Sequence, residues 1–190
     1  MRLVCAALSA ILCAPVMAAP AVTLVLQFDQ AYSARSLAAM KREVASIVHE
    51  TGIKVDWRLL SDVHPTDSFE GLVVVRFRGA CVIQRDASML DERGYYAFTY
   101  VTDGDVQPFS EVECDKVASS IEPQMSPAQW KDRDFVLGRA LGRVLAHELF
   151  HMLAKSQHHS PAGITKSALS PAQLVADRLR MTPADLKKLK

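Results

Sequence analysis

The sequence shows no excess of charge of either sign. Its 22 lysines and arginines are balanced by 21 aspartates and glutamates, so the formal net charge is only +1. Proteins that bind nucleic acid or anionic membrane surfaces usually carry a marked basic excess. The sequence also contains no internal repeat and no low-complexity segment. We therefore expect neither nucleic acid nor a membrane surface among its partners, and nothing in the sequence indicates an oligomeric state.

Long apolar runs are also missing. The longest one covers residues 3–16 and follows a single cation, Arg2, whereas a membrane-spanning helix needs about 20 apolar residues. This pattern is typical of a secretory signal peptide, which we predict over residues 1–18, with an uncleaved anchor as the alternative. Residues 19–190 are enough for one domain with its own core. We expect an exported protein, periplasmic or secreted, with no membrane span after cleavage.

Cysteine is scarce, and half of it belongs to the predicted leader. Of the four cysteines, Cys5 and Cys13 lie within residues 1–18, which leaves Cys81 and Cys114. An even pair in an oxidising compartment favours a disulfide, although two buried free thiols would also fit the sequence. Neither cysteine belongs to a Cys-x-x-Cys pair, so we do not expect them to bind metal.

Hydrophobic periodicity predicts an α+β fold with one domain, in which a mixed β-sheet packs against helices. A strand, a helix and a second strand follow one another at the start, which favours a parallel crossover. Segment 71–77 is the most apolar strand and is expected at the centre of the sheet. Asp103-Gly104 predicts a hairpin turn, and segment 81–93 is predicted as a loop, with a short helix as the alternative. Strands are predicted at 22–28, 53–60, 71–77, 95–101 and 106–112, and helices at 36–50, at 133–154, from Ser126-Pro127, from Ser170-Pro171 to about residue 180, and from Thr182-Pro183.

The strongest chemical signal is His147-Glu148-x-x-His151, which lies within the predicted helix 133–154. Residues four apart share one face of a helix, about 6 Å from each other, so both imidazoles can reach a single tetrahedral zinc ion. Glu148 is then placed to act as a general base toward a water at an open coordination position. We expect one zinc ion per chain. The alternative is a solvated helix face without metal, since short motifs also occur by chance.

A catalytic zinc needs a third protein ligand, and acidic residues are poor candidates for it here. No glutamate follows Glu148 in the chain, although many zinc proteases take their third ligand from a later glutamate. The two later carboxylates, Asp177 and Asp185, both lie in helical patterns, where we expect them on solvated faces. The remaining candidates are two adjacent histidines, His158 and His159.

Neither histidine can reach the metal if the helix continues. At 1.5 Å per residue, His158 would lie about 10 Å along the helix axis from His151. The chain must therefore turn between Ala154 and Gln157.

Two segments carry a family resemblance: His147-Glu148-Leu149-Phe150-His151 and His159-Ser160-Pro161-Ala162-Gly163-Ile164. Together they resemble small exported bacterial proteins of the zincin type, related to the metzincins. The resemblance extends more weakly to the first strand and helix and to the hairpin. It implies a zincin-like domain with a His-Glu-x-x-His active-site helix, and it implies His159 as the third zinc ligand.

The sequence departs from the metzincins proper in three features. Metzincins have glycine and the third histidine where this chain has Ala154 and Gln157, and they carry a methionine turn. Met181 is the methionine that could replace that turn, but we expect it to be a core residue.

The function expected from this motif is a zinc metallopeptidase that hydrolyses peptide bonds, with a peptide or protein as substrate. Two alternatives stay open: a non-catalytic zinc-binding structural or interaction protein, and a zinc hydrolase acting on a cell-envelope amide. The hairpin could pair with an extended substrate or form an ordinary sheet edge. For Tyr95 and Tyr96, strand packing is favoured over a role in stabilising an oxyanion.

Overall fold

The computed structural model of the protein describes residues 21–83 and 94–189. The predicted signal peptide and most of the predicted loop 81–93 lie outside the described residues. The strands are Ala21–Phe28 (β1), Lys54–Leu59 (β2), Leu72–Arg78 (β3), Ala97–Thr102 (β4) and Asp105–Glu113 (β5). The helices are Ala34–Val48 (α1), Cys114–Ile121 (α2), Pro127–Lys131 (α3), Arg133–Ala154 (α4), Pro171–Val175 (α5) and Pro183–Lys188 (α6).

The five strands form one mixed sheet in the order β2-β1-β3-β5-β4. β1 pairs in parallel with β2 and β3, and β3 pairs in parallel with β5. β4 is antiparallel to β5 and lies at the edge of the sheet. The prediction of an α+β fold with a mixed sheet and a central 71–77 strand is confirmed.

One face of the sheet is buried and the other is largely polar. In β3, Val73, Val75 and Phe77 are at most 3% exposed, whereas Arg76 and Arg78 on the opposite face are exposed. This alternation follows from the period of two in a strand, which sends successive side chains to opposite faces. The buried face packs into a core that also contains the apolar residues of α1 and α4.

The long helix α4 lies at the centre of the molecule. Fifteen of its 22 residues are buried, as expected for a helix that is apolar on nearly all sides. Gly138 and Gly142 face α1 at very short range: a Cβ atom at Gly138 would lie 2.1 Å from the carbonyl oxygen of Ser36. The two missing side chains therefore allow the backbones of α1 and α4 to approach closely.

A buried cation ties α4 to two neighbouring elements. The Arg143 side chain is fully buried, and its Nε donates to Glu43 of α1 at 2.7 Å. Its Nη1 donates to the carbonyls of Gln173 and Leu174 in α5 at 2.8 and 3.0 Å. Because a buried charge is tolerated only when it is paired and hydrogen-bonded, this network fixes the mutual placement of α1, α4 and α5.

The same network explains why one helix is shorter than predicted. A helix was expected from Ser170-Pro171 to about residue 180, but α5 ends at Val175 and the backbone of Ala176 has left the helical conformation (ψ 158°). The carbonyls of Gln173, Leu174 and Val175, which would accept bonds from the next helical turn, accept side-chain bonds from Arg143 and Arg139 instead. The prediction was wrong because it considered only local periodicity.

The hairpin and the disulfide follow the sequence expectations. Asp103 and Gly104 connect β4 to β5, both with positive φ (54° and 88°), as a two-residue hairpin turn requires. Cys81 and Cys114 form a disulfide with a Cα–Cα distance of 4.8 Å, which confirms the predicted pair. Such a bond is typical of proteins that fold in an oxidising compartment. Among the helices within residues 21–83 and 94–189, none has both the length and the apolar character to cross a membrane.

Candidate metal centre

Helix α4 brings the two motif histidines together. The Nε2 atoms of His147 and His151 lie 3.0 Å apart, as the spacing of four residues on one helix face predicts. His151 is only 7% exposed and His147 is half-buried. The two rings meet at an interplanar angle of 72°, so their edges converge on one point.

Hydrogen bonds determine which nitrogen of each ring faces that point. Nδ1 of His147 donates to the carbonyl of Ile164 at 2.8 Å, and Nδ1 of His151 donates to the carbonyl of Ser156 at 2.6 Å. A carbonyl only accepts, so Nδ1 carries the proton in both rings. Burial lowers the pKa of both histidines, which favours the neutral imidazoles. The Nε2 atoms of His147 and His151 are therefore both unprotonated, and their lone pairs face each other.

The third histidine reaches the cluster because the chain turns directly after α4. Lys155 adopts a left-handed conformation (φ 48°) and its amide closes the helix on the carbonyl of His151. The turn lies between Ala154 and Gln157, as predicted, although no glycine provides it. His159 then joins the pair: the candidate ligand nitrogens of His147, His151 and His159 all lie within 4.8 Å of one another.

His158, the other candidate, lies apart from this cluster. Its side chain is exposed, and its backbone amide donates to the hydroxyl of Ser156. The structure thus selects His159 as the third member, which spacing alone did not decide.

The donor set of this cluster fits a metal ion. Two ligands at about 2.0–2.1 Å from one tetrahedral ion lie roughly 3.3 Å apart, close to the distance between the two Nε2 atoms of α4. A cation bound between the two Nε2 atoms would also remove the repulsion between their lone pairs. Backbone carbonyls already hold Nδ1 of both rings, which is the usual way that proteins orient histidine ligands. Across residues 21–83 and 94–189, this is the one cluster of its kind.

Glu148 lies beside the histidines and is held by a residue from the sheet. Glu148 is 5% exposed, and its carboxylate accepts a hydrogen bond from the hydroxyl of Thr99 in β4 at 2.6 Å. Burial raises the pKa of Glu148, while the Thr99 hydroxyl and His151 oppose that shift. A carboxylate with a raised pKa accepts a proton more readily near neutral pH. The sequence did not indicate Thr99, because it lies 49 residues away on another element.

A cavity of about 500 Å³ opens beside these side chains. All three histidines and Glu148 line it, and its opposite wall comes from β4 and from segment 94–96. Tyr95 and Tyr96 also line it, and Tyr95 is 78% exposed. Both tyrosines precede β4 rather than lying within it. The expectation of packing is wrong for the exposed Tyr95, whereas Tyr96 is partly buried and packs against the core.

The sequence expectations for three later residues, Asp177, Asp185 and Met181, can be compared with their burial. Asp177 is fully exposed, as predicted, but Asp185 is completely buried, so the prediction of a solvated face is wrong for it. The helical periodicity of the sequence around Asp185 could not reveal the hydroxyl groups that surround its carboxylate in the fold. Met181 is 6% exposed and packs with Ala146, Phe150 and Ile164, as expected for a core residue.

The fold and the three histidines define an α+β protein with a candidate metal-binding site. Comparisons with protein-family models and with curated proteins found no match for the chain. The nature of the site therefore has to be argued from its geometry.

Proposed function

We propose that the protein is a zinc metallopeptidase, in which His147, His151 and His159 hold one zinc ion per chain. The observation that carries this proposal is the placement of Glu148. Its carboxylate lines the same cavity as the three histidines and lies on the helix that bears two of them. A structural zinc site has no need for a buried carboxylate beside an accessible cavity. Three imidazoles are a donor set typical of catalytic zinc.

When bound by His147, His151 and His159, zinc would supply Lewis acidity, which lowers the pKa of water to about 7 and polarises a carbonyl group. Glu148 would accept a proton from the water molecule whose oxygen attacks the carbonyl carbon. It would then give that proton to the amine nitrogen as the C–N bond breaks. The Thr99 hydroxyl holds the carboxylate at 2.6 Å during this exchange.

The position of β4 beside the cavity favours an extended peptide as substrate. β4 forms one wall of the cavity and lies at the edge of the sheet, and among residues 21–83 and 94–189 no strand pairs with its outer side. An edge strand of this kind can pair with an extended peptide. The cavity lining also contains apolar side chains from other elements, among them Val144 of α4 and Leu169. A peptide bound along β4 would place a carbonyl next to Glu148 and the histidines.

The proposed place of action is the periplasm or the medium outside the cell. The disulfide between Cys81 and Cys114 supports it, because such bonds persist in oxidising compartments. The pattern of residues 1–18, which we interpret as a signal peptide, supports it independently.

Replacing one atom of Glu148 tests the proposal. The Glu148→Gln variant keeps the shape of the side chain but removes its capacity to accept a proton. We expect peptide hydrolysis to fall by at least about 10²-fold, the lower range of general-base effects, while zinc content stays at one per chain. A library of unstructured peptides, with product analysis by mass spectrometry, provides the assay.

The same variant distinguishes the two alternatives. A zinc-binding protein without catalysis would hydrolyse nothing in either form. A hydrolase of envelope amides would leave peptides intact but release products from purified cell-wall material, and Glu148→Gln would abolish that release.

A further inference from the structure

The third histidine of the candidate metal centre has no regular element to hold it. His147 and His151 lie on α4, but His159 lies on the loop that follows the helix, and its side chain is exposed. A ligand on a free loop would lose conformational entropy when it binds metal, which weakens binding. Something must therefore hold the loop in place.

A buried carboxylate lies directly beneath this loop. Asp185, in α6, is 0% exposed. Its Oδ1 accepts a hydrogen bond from Ser160 at 2.6 Å, and its Oδ2 accepts bonds from Thr165 at 2.5 Å and Thr182 at 2.7 Å. Burial alone would raise the pKa of Asp185, but the three hydroxyl donors hold it below its usual range. The carboxylate is thus fully ionised at neutral pH and satisfied on both oxygens.

Two of these hydroxyls belong to residues that directly follow, in sequence, His159 and Ile164 of the metal centre. Ser160 directly follows His159. Thr165 directly follows Ile164, whose carbonyl accepts the hydrogen bond from His147. The loop is closed further by the amide of Ser160, which donates to the carbonyl of Thr165 at 3.0 Å. A single carboxylate therefore fixes both ends of the segment that carries one ligand and orients another.

We propose that Asp185 is a positioning residue of the metal centre: it holds the 159–165 loop so that His159 and His147 converge before the metal binds. This inference rests on the proposed zinc site. It assigns a purpose to a buried charge that the proposed reaction does not otherwise use. The amide of Asp185 also donates a hydrogen bond to the hydroxyl of Thr182, the residue that caps α6. Asp185 therefore connects α6 to the site.

The test compares the zinc dissociation constants of wild type, Asp185→Ala and Asp177→Ala by competition with a chromophoric chelator. The temperature is chosen so that circular dichroism shows every variant folded. Removing a residue that orients a ligand typically weakens metal affinity about 10- to 100-fold, and we expect this for Asp185→Ala. Asp177→Ala removes a fully exposed carboxylate and should bind zinc as wild type does.

A double-substitution cycle separates positioning from general stability. In a His159→Ala background the loop no longer carries a ligand, so Asp185→Ala should change the zinc dissociation constant much less than it does in wild type. If Asp185→Ala fails to fold, Ser160→Ala removes only the bond next to His159 and should weaken zinc binding in the same direction.

The outcomes separate the two proposals. A wild type that binds no zinc would overturn the proposed function, and the inference with it. A wild type that binds zinc, with Asp185→Ala or its substitute binding equally well, would overturn the inference alone. A lower melting temperature with an unchanged dissociation constant would assign Asp185 a purely structural role.

Discussion

The contact between α1 and α4 predicts that replacing a glycine of α4 by alanine destabilises the protein, whereas helix propensity alone predicts that it stabilises it. Replacing glycine by alanine inside an exposed helix stabilises it by about 1 kcal/mol. At Gly138, however, the new Cβ would lie 2.1 Å from the carbonyl oxygen of Ser36 and 2.7 Å from the Cβ of Ala39. Both contacts involve atoms that cannot rotate away, because they belong to the backbone or sit directly on it.

The size of the effect follows from the distance that must be regained. Ordinary van der Waals contact begins at 3.4 Å, so α1 must move away from α4 by roughly 1.3 Å to relieve the contact of 2.1 Å. A gap of 0.5–1 Å already removes a quarter to a half of the dispersion energy between the facing atoms of the two helices. Overpacking of this kind costs about 1–3 kcal/mol or more. After the gain in helix propensity, we expect Gly138→Ala to lower the free energy of unfolding by about 2 kcal/mol.

Thermal unfolding followed by circular dichroism measures this change. For a domain of this size, 2 kcal/mol corresponds to a fall in Tm of about 4 to 8 °C. Gly142→Ala is the matched control, since its closest contact is 2.8 Å, to the Cβ of Glu43; it should destabilise less. A Gly138→Ala protein as stable as wild type, or more stable, would refute the close packing described for α1 and α4.

Three further predictions concern the site and its supports. Thr99→Val removes a hydrogen-bond donor that favours the ionised carboxylate of Glu148, so peptidase activity should fall about 10-fold. Because the pKa of Glu148 then rises further, the acidic limb of the pH profile of activity should move to higher pH, with zinc content unchanged. An acidic limb that does not move would contradict this. Replacing Cys81 and Cys114 by alanine should lower the free energy of unfolding in urea by about 3 to 4 kcal/mol, as expected for a separation of 33 residues, and an effect below about 1 kcal/mol would contradict it. Because the pKa of Asp185 is lowered in the folded state, its ionised form stabilises the fold at neutral pH, and this stabilisation is lost as the pH falls below about 4. The difference in urea midpoint between wild type and Asp185→Asn should therefore shrink from pH 7 to pH 3. A difference that stays constant would count against this prediction.

Elements with strong local signals could be predicted from the sequence. Helix α4 begins and ends at the predicted residues, because its apolar periodicity is continuous and its end coincides with a polar segment. The Asp103-Gly104 turn was predictable because few residue pairs adopt two consecutive positive φ values. The motif histidines are four residues apart on one helix, so their proximity follows from helix geometry alone.

Features that depend on distant partners could not be predicted in this way. The end of α5 is set by arginines that lie 30 to 36 residues earlier in the chain. The burial of Asp185 depends on Ser160 and Thr165, which only the folded loop brings to it. Helix α2 was missed for a different reason: its apolar positions Cys114, Val117, Ala118 and Ile121 have helical spacing, but they follow β5 without a break.

The choice of His159 over His158 shows where local and distant effects meet. Spacing required a turn between Ala154 and Gln157, and the structure has one at Lys155. Which of the two histidines then faces α4 depends on how the loop is anchored beyond it, at Ser160. Sequence spacing carries no information about that anchor.

Zinc content per chain, measured on the purified protein without its first 18 residues, tests the three-histidine site most directly. Wild type and His158→Ala should each retain one zinc ion at neutral pH, because His158 lies outside the cluster. His159→Ala should lose it after dialysis against a weak chelator, since only two ligands remain. A wild type without zinc, or a His159→Ala variant that retains it as firmly as wild type, would contradict the site described here.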